Sequence, residues 1–284
     1  MEHTDFDLHS PSDAPLPRPT REGGLGRVIV ALLVGVALLG GGYALYLNRR
    51  AAAPAGSNAA GTAAVPAPPT ALGADAATVE VHALDQSDAF VRELVSTLST
   101  DPRFITWLAT DRLIRTFVVV VDNIASGATP AQHVRMMRPL SPFRVSGTGS
   151  AVSVDPRSYE RYTALADAAA SIDAAGSARV YTTLKPRIEE AYRELGYPDT
   201  PFDRTLERAI VVLLSTPVSD AAPRLRAAGA SGYAYADPRL ESLSAAQRQL
   251  LRFGPRNARV IQAALRTMAL ALGIPPDRLP PAGA

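Results

Sequence analysis

Apolar and polar residues follow three different patterns along the chain, and each predicts a different kind of segment. Residues 1–26 are rich in Asp, Glu, Pro, Ser and Arg and have few apolar positions, too few to offset the entropy of ordering, so the pattern predicts a disordered N-terminal tail. From Val28 to Leu47 come 20 residues without a charge. At a rise of ~1.5 Å per residue this run spans the ~30 Å hydrocarbon core of a bilayer, which predicts a transmembrane helix over 28–47. Arg27 flanks it on one side and Asn48, Arg49 and Arg50 on the other, with Tyr43 and Tyr46 near the interface. A cleaved signal peptide fits less well, because the run is too long, the preceding segment is extended, and Arg49 and Arg50 precede any small-residue cleavage site.

Residues 51–83 read as a Pro/Ala-rich linker: from Ala51 to Glu80 there are 13 Ala, 4 Pro and 3 Gly. A flexible coil of that length has a root-mean-square span of roughly 30 Å, and extended polyproline geometry reaches about 90 Å.

Residues 84–275 carry the helical periodicity of a folded domain, and 276–284 read as a disordered C-terminus. Ser87 is placed to cap a helix to about Leu98, with Phe90, Leu94 and Leu98 on one face. Leu113, Phe117, Val121 and Ile124 repeat at helical spacing, although the β-branched run Val118 to Val121 also suits a buried strand. Phe143 to Val154, centred on Gly147-Thr-Gly149, predicts a hairpin. Asp155-Pro156 starts a helix through Tyr159, Tyr162, Leu165 and Ala169 to about Ile172. A further helix runs through Tyr181, Leu184, Ile188 and Tyr192 and closes at Gly196, with Pro186 kinking it or marking its start. Thr205 to Leu214 is apolar on several sides and hence central. Ser244 and Gln247 form a capping box for a helix to about Leu272, interrupted at Gly254-Pro255. The expected fold is mainly α: a multi-helix soluble domain with a small β-hairpin, preceded by a single transmembrane helix.

Charge narrows the partners. Between 84 and 275 there are 23 basic and 19 acidic residues, too even a balance for nucleic-acid binding. Cysteine is absent, which excludes disulfides, thiolate metal sites and a Cys nucleophile. Three arginines before the apolar run (18, 21, 27) against two after it (49, 50), together with the large C-terminal portion, place the N-terminus in the cytoplasm and the domain in the periplasm of a bacterial inner membrane.

Several phrases share one pattern: Leu84-Asp-Gln-Ser-Asp88, Phe117-Val-Val-Val-Val-Asp-Asn123, Tyr159-Glu-Arg-Tyr162, Ala191-Tyr-Arg-Glu-Leu-Gly-Tyr-Pro198, Leu213-Leu-Ser-Thr-Pro217 and Leu250-Leu-Arg-Phe-Gly-Pro-Arg-Asn257. In this order they resemble an uncharacterised bacterial family catalogued as domain of unknown function 3014, over residues 84 to 266. Phe253 and Arg256 depart from that pattern, where Met and an acidic residue are usual. The resemblance implies an N-terminally anchored envelope architecture and no activity.

The candidate chemistry is sparse. His82 and His133 lack metal-ligand spacing, and no phosphate loop, nucleophile elbow or dinucleotide fingerprint occurs, so no catalytic residue, metal or cofactor is assigned. Asp122-Asn123, at the end of an apolar run, forms either a ligand-binding pair in a cleft or an ion pair with a helix-terminal Asn. Tyr159, Arg161, Tyr162, Tyr192 and Tyr197 suit either a sugar- or peptide-binding groove or the packed edge of a core. Arg248, Arg252, Arg256 and Arg259, with Asn257 between them and Arg266 beyond, recur near helical spacing, either as an anion-binding stripe or as a solvated face. The leading expectation is a non-enzymatic binding or scaffold module for a protein or an anionic envelope component. One rival is an enzyme on cell-wall or lipid substrates using Asp122 and a second carboxylate such as Asp173. Another is a structural subunit that dimerises through small residues four apart in the apolar run: Ala31/Gly35, Ala37/Gly41 and Gly40/Ala44.

Overall fold

The computed structural model describes residues 72, 83–129, 141–148, 152–228 and 232–282. The tail 1–26, the apolar run 28–47, almost all of the linker 51–83, and His82 and His133 lie outside the described residues. Among the described residues no helix is long and apolar enough to cross a membrane.

The first helix, α1 (Asp88–Ser96), starts without a side-chain cap. Ser87 instead donates its hydroxyl to Leu84 O at 2.8 Å, closing a 3-10 turn. The buried seam is Val91 and Val95, continued by Leu98, while Phe90 and Leu94 sit partly buried beside it. Capping reappears one element later: the Asp88 carboxylate accepts the backbone N–H groups of Arg112 and Leu113 at 2.6 and 2.9 Å. After the short α2 (Pro102–Trp107), these bonds satisfy donors at the start of α3 (Leu113–Ala125). The valine run is helical. Eight residues of α3 are buried, on more than one side, so packing outweighs the modest helix penalty of β-branched residues.

The hairpin predicted for 143–154 is present, with β1 (Val145–Ser146) antiparallel to β2 (Ser153–Val154). Asp155 starts the next helix, its carboxylate accepting the Arg157 N–H at 2.9 Å. That helix is shorter than the periodicity predicts, because it breaks at Arg161–Tyr162 into α4 (Arg157–Glu160) and α5 (Thr163–Ala170). The break coincides with the Tyr162 ring lying flat on Phe253, with ring centroids 4.2 Å apart.

Pro186 does not begin the following helix. α6 (Ala174–Glu194) is 21 residues long with Pro186 in its interior. The proline is exposed, where the carbonyl that loses its partner can turn to solvent. α6 closes as predicted at left-handed Gly196, with Tyr197 N–H reaching back to Tyr192 O at 3.3 Å.

α7 (Phe202–Leu214) is the central helix and packs on α3 and α6. A second hairpin, β3 (Leu225–Ala227) with β4 (Tyr233–Tyr235), was not foreseen. It joins the first through a Ser153–Arg224 bridge and a 2.8 Å bond from Leu225 N–H to Val152 O. Then come α8 (Pro238–Glu241), α9 (Ala245–Leu251) and α10 (Pro255–Ala271). Both arms of the Ser244/Gln247 capping box are formed at 3.2 Å. α10 packs on α5, α6 and α7, completing a helical core, and α9 bridges that core to the hairpins.

Two segments read as disordered have ordered parts. At the C-terminus, Pro276–Arg278 forms a 3-10 turn, Leu279 is buried, and Arg278 pairs with Glu207 at 2.6 Å. Within the linker, Leu72 is 6% exposed and belongs to the main core. Its N–H donates to Asp203 at 3.1 Å, where Tyr181 and Lys185 also converge, both at 2.5 Å. In both places one leucine finds a socket that sequence composition does not reveal.

Candidate functional site

Among the described residues, a cleft of about 120 Å³ lies between the paired hairpins and α9. Its floor is a separate small cluster: Val154 from β2, Leu225 from β3 and Tyr235 from β4, all buried. Alternation along the strands builds this floor. Leu225 and Tyr235 are directly paired, and residues paired across two strands share a face. Tyr233, two residues before Tyr235, is 36% exposed on the rim, with its ring 6.2 Å from that of Phe143.

The opposite wall is α9, which presents Arg248 and Arg252 four residues apart on one face. Arg248 is held within the fold, donating to Glu241 O at 2.6 Å and to its carboxylate at 3.0 Å. The other oxygen of that carboxylate accepts the Tyr235 N–H at 2.9 Å. Arg252 is half-buried and, among the described residues, its guanidinium has no carboxylate partner. A partly buried guanidinium without a carboxylate beside it is free to receive an anion. Burial pushes the Tyr235 hydroxyl up to about 12, against the opposing pull of Arg252, so it stays a neutral donor, 3.5 Å from Arg248 O.

The arginine series is therefore not one stripe. Arg256 reaches Asp167 at 3.3 Å, Arg259 pairs with Asp220 at 2.6 Å, and Arg266 bonds Pro280 O. The Arg259 hydrogen bond lowers the Asp220 pKa. Only Arg248 and Arg252 meet in the cleft. A change of helix at Gly254 turns the remainder onto α10 and away from it.

The tyrosines divide as well, most of them to the packed edge of the core. Tyr162 and Tyr192 are core residues, at 3% and 2% exposure, with the Tyr192 hydroxyl bonded to Thr205 Oγ1 at 2.8 Å. Tyr159 packs against the floor of the cleft. Arg161 lies over Phe143 at 5.4 Å and over Tyr162 at 4.9 Å, backing the rim from behind. Asn257 is a lock, its buried amide donating to Tyr159 O, Thr163 Oγ1 and Phe253 O within 3.0–3.3 Å.

Asp122, Asn123 and Tyr197 form a separate corner. Burial raises the Asp122 pKa, opposed by the Tyr197 hydroxyl at 3.4 Å and by Arg208. Asn123 donates back to Val119 O at 2.7 Å within its own helix. The pairing of Asp122 with Asp173 fails on distance. Asp173 precedes the first residue of α6 and pairs with Arg179 at 3.8 Å, while Asp122 sits against Tyr197, beyond the last residue of α6. A 21-residue helix separates the two acids by about 30 Å, far beyond glycosidase spacing.

Phe143, Tyr233, Tyr235 and Glu241 complete the cleft and escaped the sequence reading. The alternation Tyr233-Ala-Tyr235 after Gly232 was the available signal, but strands of three residues are too short for periodicity to stand out. Among the described residues no group of three or more His, Cys, Asp or Glu is arranged to hold a metal. Neither a curated protein nor a solved structure matches this chain. A family model does match residues 113–269, from the start of α3 almost to the end of α10 and so including the cleft, and the chain belongs to that family, described as protein of unknown function DUF3014.

Proposed function

We propose that this chain is a membrane-anchored module of the bacterial envelope that binds a partner rather than catalysing a reaction. In this reading the uncharged run 28–47 spans the inner membrane with residues 1–26 in the cytoplasm. The helical domain then works in the periplasm at the end of a tether. The length of the apolar run, its flanking arginines and the Pro/Ala composition of 51–83 support the anchored arrangement.

The observation that carries the binding reading is Arg252. The fold partners Arg248, Arg256 and Arg259 with acids, yet among the described residues Arg252, beside an aromatic rim, has none. A photoreactive residue at position 233 tests this in living cells. The expected result is one dominant crosslinked envelope protein, lost in Arg252→Gln and kept in Arg259→Gln. The same product from a probe at exposed Ile105, or its survival in Arg252→Gln, rules out the cleft. For orientation, a C-terminal reporter active only in the periplasm is expected to be active; a silent one reverses the topology.

A further inference from the structure

The cleft already holds one carboxylate, and the way it does so points to what else it takes. One oxygen of Glu241 accepts a strand N–H from Tyr235 and the other accepts the Arg248 guanidinium, at 2.9 and 3.0 Å. One turn along α9, Arg252 offers a second guanidinium to the same concavity, with no acid from the described fold to receive it. A guanidinium fork matches the two oxygens of a carboxylate. With Arg248 and Glu241 neutralising each other, the lining carries one net positive charge, which suits a monoanion.

A dianionic phosphate is a poorer match. Such groups are met by several converging donors or by a free helix N-terminus. Here the capping box of α9 occupies the Gln247 N–H and the Ala246 N–H turns to Gly127 O, while Arg252 is the C-cap, at the end where the helix dipole is negative. Size points the same way. At about 120 Å³ the cleft is well below the ~300–1,000 Å³ of sites for free small molecules, but it accommodates a short acidic side chain. Val154, Leu225, Phe143 and Tyr233 around it offer apolar surface to whatever neighbours that acid.

We infer that the cleft receives a carboxylate side chain from a partner protein segment in which an apolar residue adjoins the acid. The carboxylate engages Arg252 and the apolar neighbour lies on the Phe143–Tyr233 rim. This rests on the binding reading proposed above and specifies its ligand.

The test uses the full-length chain in phosphatidylcholine nanodiscs free of detergent, with 3-fluorotyrosine at position 233 and its fluorine resonance as the readout. Four probes are titrated: acetyl-Gly-Phe-Glu-Gly-amide, its Gln counterpart, inorganic phosphate and phosphatidylglycerol vesicles. A saturable shift is expected with the Glu peptide, at least tenfold weaker with the Gln peptide. Arg252→Gln should abolish it and Arg252→Lys should leave it partial, since lysine keeps the charge and loses the fork. Equal response to the Glu and Gln peptides overturns the carboxylate assignment. So does a response to phosphate or vesicles without one to the Glu peptide, although an anion-binding cleft then stands. No response to any probe overturns the carboxylate assignment; only the additional absence of a crosslink from position 233 overturns the binding reading too.

Discussion

The helical core and the hairpin annex differ in how they treat polar groups. In the core, the Asn257 amide has three acceptors, Asp203 gathers three donors, and Gln262 caps the end of α7 by donating to the carbonyls of Leu213, Leu214 and Thr216. In the annex, a three-residue apolar floor supports a wall on which one of two arginines has no acid beside it among the described residues. A core that satisfies its own polar groups has no binding capacity left over. Recognition is therefore expected where the fold leaves a charge uncompensated, and α9 is the element that connects the two regimes.

The sharpest way to break this arrangement is at the joint between the regions. Gly254 has φ 79° and ψ 165°, a conformation nearly restricted to glycine, and a Cβ there would lie 2.3 Å from the Tyr159 ring. Gly254→Ala should lose about 3 kcal/mol or more in urea denaturation, from strain and steric overlap together. Adding Tyr159→Ala should leave the backbone part of that loss in place; full recovery would mean that φ is unstrained.

Next in size is Asn257→Ala. Removing the amide, with its three acceptors and the bond its oxygen takes from Arg256, should cost about 2–3 kcal/mol and loosen the α4–α5 break against α10, visible as faster amide exchange at Thr163. A loss under about 0.5 kcal/mol would show that Asn257 only fills space.

Gln249 is an exception that sharpens the comparison. It is fully buried on α9, yet neither its amide nitrogen nor its oxygen has a protein partner. Gln249→Leu should therefore stabilise the protein by about 1 kcal/mol. A comparable loss instead would reveal an amide bonded through solvent.

The smallest effect concerns pH. Burial raises the Asp122 pKa above its ordinary 3.8, so the native state holds the proton more tightly than the unfolded chain. Its contribution to stability is complete below pH 3.8 and is lost as pH rises through the folded value. Asp122→Asn should accordingly raise the melting temperature at pH 7 relative to the native sequence and make no such relative gain at pH 3. A variant less stable at pH 7 would show that the charged carboxylate is favourable there.

Much of the fold is legible in the sequence because its signals are local. Ser244/Gln247, Asp155-Pro156 and Gly196 act within a few residues of themselves, and each marks an element boundary in the structure. Spacing also identified α3 and α7, whose burial on several sides follows from their apolar content. The cleft was half legible: Arg248 and Arg252 came from helical spacing, whereas Tyr233 and Glu241 reach it only through a hairpin of very short strands. For Asp88, local spacing does not disclose the role, since the donors it caps lie 24 and 25 residues away.

By itself, then, the sequence determined where helices start and stop, which faces are apolar, and which residue types are available for chemistry. These depend on backbone preferences and side-chain periodicity within a turn or two. Tertiary structure alone decided that Leu72 and Leu279 are core residues, that Asp122 and Asp173 lie at opposite ends of α6, and that, of the two arginines in the cleft, Arg248 has an acid beside it and Arg252 has none among the described residues. Each of those outcomes depends on what a distant segment brings within a few ångströms, and Coulomb and packing energies at that range are set by distance in space rather than position in the chain.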